Sequence, residues 1–312
     1  MLPSLLSYVP SKFDNILNDA NDPMGVELAA IDSVWLGCNG AIYLTNRVYS
    51  PTSYVSVSYP AMINETMHIL YWGIKQLQYN VYLNSLNSYY SFFIPTNNSL
   101  LEYIDPVSYG KSQTQLYRFH YDPSQVDENN RVWASVWNYD TVAGEVTDSI
   151  GEVRDAGQIR NRLKDILDTH IVIGNVEDGH KYYRTKGGTE IRVNNASAGA
   201  NGMTVEGSFQ INEGNPINVS YIYDQTEGGN GKAYILESQP IMGTRMTTYD
   251  ILANTPEFSK FFELLDGSDL TETIRNNRHS TGGKNISVFN TYHYTVYVPT
   301  NESIEELQNS GK

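Results

Sequence analysis

The chain is poor in cysteine and in positive charge. Cys38 is its one cysteine, so no disulfide can form within the chain and stability must come from packed cores. Lys and Arg number 21 against 35 Asp and Glu, which gives a formal net charge of −14, and no block of Lys or Arg occurs. Because nothing in the sequence would neutralise a phosphate backbone, we expect no nucleic-acid partner.

Long apolar runs and familiar catalytic motifs are also missing. No apolar run approaches the roughly 18 residues that a membrane-spanning helix needs, so we expect no transmembrane segment in this chain. The sequence has no nucleophile elbow, phosphate-binding glycine loop or dinucleotide fingerprint. Its histidines show no spacing that would place two of them on one metal ion. We therefore expect no catalytic site, no cofactor and no metal site.

Tyrosine is abundant, with 24 copies against 9 Phe and 4 Trp. A tyrosine ring supplies apolar contact area while its hydroxyl stays wet, which suits contact with carbohydrate or protein. Charged residues make up 18% of the chain and hydrophobic residues 40%, so most of it should fold. A length of 312 residues is enough for about two domains at roughly 150 residues each.

Two patterns occur twice in the sequence. Residues 90–102 and 294–306 each predict a short apolar strand, a Pro-Thr-Asn corner and an amphipathic helix, since Pro ends a strand and Thr or Asn caps a helix. Residues 39–48 and 230–239 each begin with an Asn-Gly turn that leads into a strand. The residues of these motifs are Pro95, Thr96 and Asn97, then Pro299, Thr300 and Asn301, and in the turn of the central copy Asn230 and Gly231.

The order of these patterns suggests repeated modules. The Asn-Gly strand comes first near the start of the chain, and the Pro-Thr-Asn unit comes last at its end. We therefore predict the C-terminal part of a module in 1–60, a complete module in 61–247, and the N-terminal part of a further module in 248–312. We expect the chain to come from a longer tandem array. We also expect 1–60 and 248–312 to complement each other, either within one chain or by swapping between chains.

Apolar periodicity predicts helices first and strands afterwards in the central module. One buried helical stripe is predicted from the spacing of Ile63, Met67, Leu70, Ile74, Leu77 and Val81, and a second from Ile159, Leu163, Ile166 and Leu167. Alternating segments then predict strands at 180–184, 189–193 and 203–210, and a strand with Ile217, Val219, Tyr221 and Tyr223 on one face. This order indicates an α+β fold.

The motifs resemble those of the fasciclin family. Phe92–Leu100 and Val296–Ile304 are similar to its first motif, Leu167–Gly174 to its His-containing segment, and the two Asn-Gly strands to its closing motif. The resemblance implies α+β modules, each a helical layer on a small twisted β-sheet or wedge, used in extracellular adhesion without catalysis. It implies mainly structural roles for the motif residues. For His170 two interpretations are open, a core histidine bonded to the backbone and a ligand contact, and we favour the first.

An aromatic hairpin is predicted in an insertion at about 106–157. Alternation places Tyr117, Phe119 and Tyr121 on one side of a strand, and Trp133, Trp137 and Tyr139 on one side of the next. If the strands pair, the six aromatic side chains would share one face. That face would either bind a partner or pack onto the module's own core; we favour packing, because buried aromatic residues are the commoner case.

The sequence thus predicts an extracellular, non-enzymatic interaction protein of tandem fasciclin-like modules. Its partner would be a surface or outer-membrane protein, a matrix component or a glycan. The composition resembles that of surface lipoproteins of Bacteroidetes-type bacteria, so we expect a cell-surface location, with an outer-membrane anchor in a segment outside this chain. One alternative is a glycan-binding accessory lipoprotein of an outer-membrane uptake complex, with Trp133, Trp137, Tyr117 and Tyr121 as its sugar-binding platform. Another is a hydrolase that uses scattered acidic residues.

Overall fold

The computed structural model describes residues 16–17, 23–49, 51–108, 113–140, 143–243, 248–266, 271–272, 285–286 and 296–311, and in them it has an α+β architecture. The α-helices are α1 Tyr59–Ile63, α2 His68–Gln76, α3 Tyr79–Leu83, α4 Ala156–His170, α5 Ser208–Glu213, α6 Thr248–Asn254, α7 Ser259–Asp266 and α8 Asn301–Asn309. The strands are β1 Ile31–Gly37, β2 Gly40–Thr45, β3 Tyr90–Pro95, β4 Tyr103–Ile104, β5 Thr114–Tyr121, β6 Val132–Asp140, β7 Glu145–Val153, β8 Ile171–Ile173, β9 Tyr182–Arg184, β10 Glu190–Asn194, β11 Thr204–Glu206, β12 Ile217–Gln225, β13 Gly231–Leu236, β14 Thr271–Glu272 and β15 Asn285–Ile286.

A seven-stranded sheet forms the centre of the molecule. Its order is β8-β3-β13-β12-β11-β10-β9, and β3 pairs with β13 in parallel while the other neighbours are antiparallel. A single bridge between Val172 and Thr185 brings the two edges together, so the sheet is nearly closed. Phe93 stacks on Tyr234 at 4.9 Å between ring centroids, in the core cluster built from both halves of this sheet.

The other face of β3 and β13 carries the helical layer. Phe92, Ile94, Ala233 and Ile235 belong to the larger core, together with the buried side chains of α2 and α4. Strand β3 is buried at every position, as expected for a mainly apolar strand that is covered on both faces. The helices approach closely at Gly73, where a Cβ atom would lie 3.3 Å from the side chain of Leu163.

The second predicted helix is confirmed. Ile159, Leu163, Ile166 and Leu167 are all buried on one face of α4. Asp155 caps its start, since Oδ1 accepts a hydrogen bond from the Gln158 backbone N–H at 2.8 Å.

The first predicted helix is wrong as a single element. Its stripe is divided among α1, α2 and α3, and Ile63 and Val81 are exposed. Asn64 interrupts the helix because its side chain accepts the Thr66 N–H and caps a 3₁₀ turn. Gln78 interrupts it again with a left-handed backbone at φ 58°.

Two strand predictions also need correction. The segment predicted at 203–210 is extended only over Thr204–Glu206 and then turns into α5. In β12 the register shifts between Val219 and Tyr221, so Val219 is buried whereas Tyr221 is 56% exposed. A bulge of this kind adds one residue to a strand and reverses the faces beyond it.

The hairpins β1–β2 and β12–β13 share one pairing pattern. In each, the register shifts at the same place, between Ile31 and Ser33 in the first and between Val219 and Tyr221 in the second. The pairs of β1–β2, in chain order, are Ile31–Thr45, Ser33–Leu44, Val34–Tyr43, Trp35–Ile42, Leu36–Ala41 and Gly37–Gly40. Their counterparts in β12–β13, in the same order, are Val219–Leu236, Tyr221–Ile235, Ile222–Tyr234, Tyr223–Ala233, Asp224–Lys232 and Gln225–Gly231. The hairpins differ in their turns, which are 38–39 and 226–230.

The two Pro-Thr-Asn corners also make the same hydrogen bonds. In the first corner, Asn97 accepts from the Ile69 backbone N–H at 3.1 Å through Oδ1 and donates to the Glu65 carbonyl at 3.0 Å through Nδ2. These groups lie at the start of α2 and of the 3₁₀ turn before it.

In the second corner, Asn301 accepts from the Lys260 N–H at 3.1 Å and donates to the Pro256 carbonyl at 3.0 Å. These groups lie at the start of α7 and of its preceding 3₁₀ turn. The corner asparagine thus bonds to a 3₁₀ turn and a helix start in the same way in both copies. The amphipathic helix predicted after each corner is found only after the second, as α8. After the first corner that prediction is wrong, because the chain makes the 3₁₀ turn Ser99–Leu101 and then enters β4.

Residues 52–58 pack with the central unit. Val57 is fully buried in the larger core, and its N–H donates to Asn230 Oδ1 at 2.9 Å. The hydroxyls of Ser56 and Ser58 each donate to Asn84 Oδ1 at 2.9 Å. The boundary predicted at residue 60 therefore lies inside a packed segment.

Candidate functional site

The predicted hairpin forms the middle of a second sheet, of order β4-β5-β6-β7. Strands β5 and β6 pair with Tyr121 opposite Val132 and His120 opposite Trp133. The loop 122–131 between them has an even number of residues, so odd-numbered residues of β5 lie on the same face as even-numbered residues of β6. This sheet is linked to the helical layer by Trp72, whose Nε1 donates to the Glu128 carbonyl at 2.6 Å.

The prediction that six aromatic residues share one face is wrong. Alternation within each strand was predicted correctly, but the even loop sets the two aromatic rows on opposite faces. The inner face carries Tyr117, Phe119 and Tyr121, and the outer face carries Trp133, Trp137 and Tyr139.

The inner row packs mainly against the core. Tyr117 and Phe119 are buried members of the larger core. Below them Arg162 forms an ion pair with the fully buried Asp105, at 2.9 Å between Nη2 and Oδ2, and Arg162 lies 5.6 Å from the centre of the Tyr117 ring. Burial raises the pKa of Tyr117; Asp105 adds to that rise and Arg162 opposes it. For these two aromatic residues, the packing interpretation is confirmed.

Tyr121 lies at the edge of the inner row, beside a small cavity. Its ring meets that of His68 edge-on, at 5.2 Å between centroids. The cavity has a volume of about 160 Å³ and is lined by Met62, His68, Tyr71, Trp72, Lys75, Gln76, Tyr121, Glu128 and Arg131.

On the outer face, Trp133 contacts one aromatic neighbour, His120, and one cationic neighbour, Arg154. His120 stacks on Trp133 with 4.3 Å between ring centroids and 28° between planes. Arg154 places its guanidinium carbon 4.4 Å from the Trp133 ring centre. Burial lowers the pKa of His120 below its ordinary value of 6.5. Glu152 opposes this shift, while Arg118 and Arg154 add to it. The imidazole is therefore mainly neutral at pH 7.

Trp137 makes an equivalent contact with Arg118. The guanidinium carbon of Arg118 lies 5.1 Å from the ring centre, and Trp137 Nε1 donates to Ser135 Oγ at 3.3 Å. Cation–π contacts of this kind each contribute about 0.5–2 kcal/mol. We name this set the outer aromatic strip; its members are Arg118, His120, Trp133, Ser135, Trp137 and Arg154.

The outer aromatic strip is suited to recognition. It offers partly exposed indole rings and guanidinium N–H donors in one row. Sequence reasoning missed Arg118, His120 and Arg154. The parity of the loop would have revealed the first two, because it places even-numbered residues of β5 beside Trp133 and Trp137.

Tyr139 lies apart from the strip and lines a cleft of about 450 Å³. The apolar part of this cleft comes from Ile104, Leu116, Tyr139, Phe209 and Met242. Polar side chains at the cleft are Glu102, Glu213, Asn215, Ser238 and Gln239. The cleft thus combines an aromatic wall with carboxylate and amide groups.

His170 is a buried, backbone-bonded histidine. Nδ1 lies 2.6 Å from the Ile166 carbonyl and Nε2 accepts the Ile241 N–H at 2.9 Å, so the ring is neutral with its proton on Nδ1. Burial lowers its pKa from 6.5 to about 4, although the bond to Ile166 opposes the shift. The core interpretation of this residue is confirmed.

The Asn-Gly turn of the central unit is a packing device. Asn230 is buried; its Nδ2 donates to the carbonyls of Leu83 and Ser85 at 2.6 and 2.9 Å, while Oδ1 accepts from Val57. At Gly231, with φ 141°, a Cβ atom would lie 1.9 Å from the Tyr90 carbonyl oxygen, so only glycine fits.

The Pro-Thr-Asn residues are corner residues. Pro95 ends β3, and the Thr96 hydroxyl lies 3.0 Å from Ser99 Oγ. In the second corner, which follows Pro299, the Thr300 hydroxyl lies 2.9 Å from Ser303 Oγ and caps α8 by accepting the Ser303 N–H at 3.2 Å.

Three further features are clear within the described ranges. Cys38 is exposed as a free thiol. No group of three or more His, Cys, Asp or Glu side chains there is placed to hold a metal ion. None of the helices described is both long and apolar enough to cross a bilayer.

Comparison of the chain with protein-family models and with curated proteins finds no match in either set.

Proposed function

We propose that the protein is an extracellular, non-enzymatic interaction protein whose contact surface is the outer aromatic strip. The observation that carries this proposal is that Trp133 and Trp137 are partly exposed on one face of the sheet, each with an arginine over its ring. Tryptophan and arginine are the residues in which binding energy is most often concentrated at protein interfaces. Their mutual contacts fix the side chains before a partner arrives, which lowers the entropy cost of binding.

We further propose that the chain is built of tandem fasciclin-like modules. Support comes from the repeated hairpin with its repeated register shift, and from the matching hydrogen bonds of Asn97 and Asn301. The proposed modules are the sequence-predicted ones, with the central unit beginning near residue 51. In this proposal the protein lies at the cell surface, anchored at the outer membrane through a segment outside this chain, and binds a surface protein or matrix component.

A binding assay with matched variants tests the contact surface. Labelled protein would be applied to panels of immobilised matrix and bacterial surface proteins, and responding partners would be titrated. The double variant Trp133→Ala/Trp137→Ala should lower the affinity for the partner at least about tenfold, because each substitution removes a large ring that the bound partner would shield from water. Tyr221→Ala removes an exposed aromatic ring from the other sheet and should leave affinity unchanged. An equal loss in both variants, or no loss in the double variant, would refute the proposal.

Glycan binding is the alternative function, and the 450 Å³ cleft is the observation that favours it. Sugars stack on aromatic rings and bond to carboxylate and amide groups, and Tyr139, Glu213 and Gln239 supply both. In this alternative the protein is an accessory lipoprotein of an outer-membrane uptake complex. A glycan array separates the two functions: sugar binding that Tyr139→Ala abolishes and Trp133→Ala/Trp137→Ala preserves would support the alternative. No response to any glycan would remove it.

A further inference from the structure

The hairpin β1–β2 exposes a surface that is buried in its counterpart. Ile42 is 68% exposed and Leu44 50% exposed, whereas the residues that occupy their positions in β13, Ala233 and Ile235, are 0% and 3% exposed. The two hairpins share the same register and the same bulge, so the difference does not come from their own folding. It comes from what lies against them.

In the central unit the cover is β3 together with the helical layer. Strand β3 pairs in parallel with β13, and the register places Phe92 beside Ala233 and Ile94 beside Ile235. Within the described residues, β1 and β2 form a sheet of two strands on their own. The hairpin β1–β2 therefore presents a strand edge and an apolar face at the positions where its counterpart is paired.

The complementary surface is present at the other end of the chain. Residues 296–299 repeat 92–95 and precede a corner that makes the same hydrogen bonds as the first corner. They have no regular secondary structure and no ladder partner in the described structure, and Tyr297 is exposed. Ile69 and Lys260 are equivalent because each donates its backbone N–H to a corner asparagine. By the same alignment, Phe261 of α7 corresponds to Leu70 of α2, and Leu265 corresponds to Ile74. The α2 residues are fully buried, whereas Phe261 and Leu265 are partly exposed.

We propose that residues 296–299 and helices α6–α8 of a second copy of this chain dock onto the hairpin β1–β2. The joint reproduces the β3–β13 pairing: parallel strands, with Ile42 beside Val296, Tyr43 beside Tyr297, Leu44 beside Val298 and Thr45 beside Pro299. Ile42 and Leu44 then face α7 as Ala233 and Ile235 face α2. Because each copy offers both halves, the contact is head-to-tail and joins copies into chains or rings. This inference rests on the repeated-module part of the proposed function.

A second copy is the occupant because the two halves of one chain are not paired with each other in the described structure. The side chains that would meet are apolar on both sides, and strand addition supplies main-chain hydrogen bonds between the paired strands. The central unit of this chain already contains one example of this pairing, between β3 and β13.

Cysteine cross-linking tests the register. On a Cys38→Ser background, Ile42→Cys and Val296→Cys are made in separate full-length chains and mixed under mild oxidation. We expect a disulfide-linked dimer, because directly paired strand residues lie within disulfide reach. Leu44→Cys with Val298→Cys should link equally well. Leu44→Cys with Val296→Cys, two residues out of register, and Val48→Cys with Val296→Cys should link at least about tenfold more slowly.

Sedimentation velocity tests the association itself. The sedimentation coefficient of the wild-type protein should rise with protein concentration as copies associate. Leu44→Asp should weaken this self-association at least about tenfold, because it buries an unpaired charge in the contact between copies. Ile150→Asp is the matched control: Ile150 is 49% exposed on β7, as Leu44 is 50% exposed on β2, and its replacement should not change the association.

Four results would overturn the inference. They are a monomer at all concentrations, no disulfide between the chains that carry Ile42→Cys and Val296→Cys, equal cross-linking by the out-of-register pairs, and equal effects of Leu44→Asp and Ile150→Asp. Binding through the outer aromatic strip is measured separately. Its persistence in a monomeric chain would therefore leave the proposed contact surface standing.

Discussion

Replacement of His170 should remove a large part of the acid sensitivity of the central unit. The folded pKa of His170 is about 4 and its ordinary value is 6.5, because burial disfavours the charged ring. The unfolded chain therefore binds a proton at higher pH than the folded chain does. The stabilising contribution is complete above about pH 6.5 and is lost as the pH falls toward 4.

The size of this effect follows from the shift. At about 1.4 kcal/mol for each pKa unit, the full loss is about 3 kcal/mol below pH 4, and about 2 kcal/mol is already lost at pH 5. His170→Gln retains an acceptor for the Ile241 N–H but cannot be protonated. It should lower stability at pH 7.5, because the bond to the Ile166 carbonyl is lost, and it should flatten the fall in stability between pH 6.5 and 5.

Urea unfolding at a series of pH values measures this effect. Trp72, Trp133 and Trp137 lie in the central unit, so their fluorescence reports its unfolding once Trp35 is replaced by Phe. His180→Gln is the control, because the His180 side chain is 70% exposed; this variant should keep the wild-type pH dependence. Parallel curves for wild type and His170→Gln would refute the reasoning, since other titrating groups are common to both proteins.

Two further predictions concern the same unit and the same unfolding assay. Gly231→Ala should cost more than about 3 kcal/mol, because a Cβ atom would overlap the Tyr90 carbonyl oxygen, whereas Gly228→Ala, also at positive φ but in open space, should cost about 1–2 kcal/mol. Similar losses in the two variants would contradict the packing argument. Arg162→Met should cost about 3–5 kcal/mol by leaving Asp105 charged and buried, and adding Asp105→Asn should restore part of the loss. A double variant no more stable than Arg162→Met would count against that ion pair.

The sequence predicts those parts of the fold that depend on neighbouring residues. The helix around Leu163 was predicted because its apolar stripe lies within one short segment. The strand after Gly231 was also predicted, but Asn230 and Gly231 are held by Val57 and Tyr90, which lie far away in the sequence and which no local pattern reveals. An apolar stripe does not reveal where a single residue interrupts a helix. Asn64 and Gln78 interrupt the first predicted helix in this way.

Faces were harder to predict, because they depend on how strands meet. Trp133 lies opposite His120 because of the length of the loop between their strands, and each strand on its own would allow the other arrangement. A one-residue bulge likewise turns Tyr221 outward although the alternation in β12 looks regular. The candidate site was therefore predicted in composition but not in geometry: the tryptophans were identified, while the side that they share with Arg118 was not.

The side chain of Asn230 has a consequence for how the protein is made. It bonds to Val57, 173 residues earlier, and to Leu83, 147 residues earlier, and it immediately precedes the strand that pairs with β3. At roughly 5–20 residues per second, a ribosome needs about 10–35 s to reach residue 230 after residue 57. Strand β3, Tyr90–Pro95, is also made before its parallel neighbour β13, so its main-chain groups on that side have no ladder partner in β13 until translation has passed residue 236.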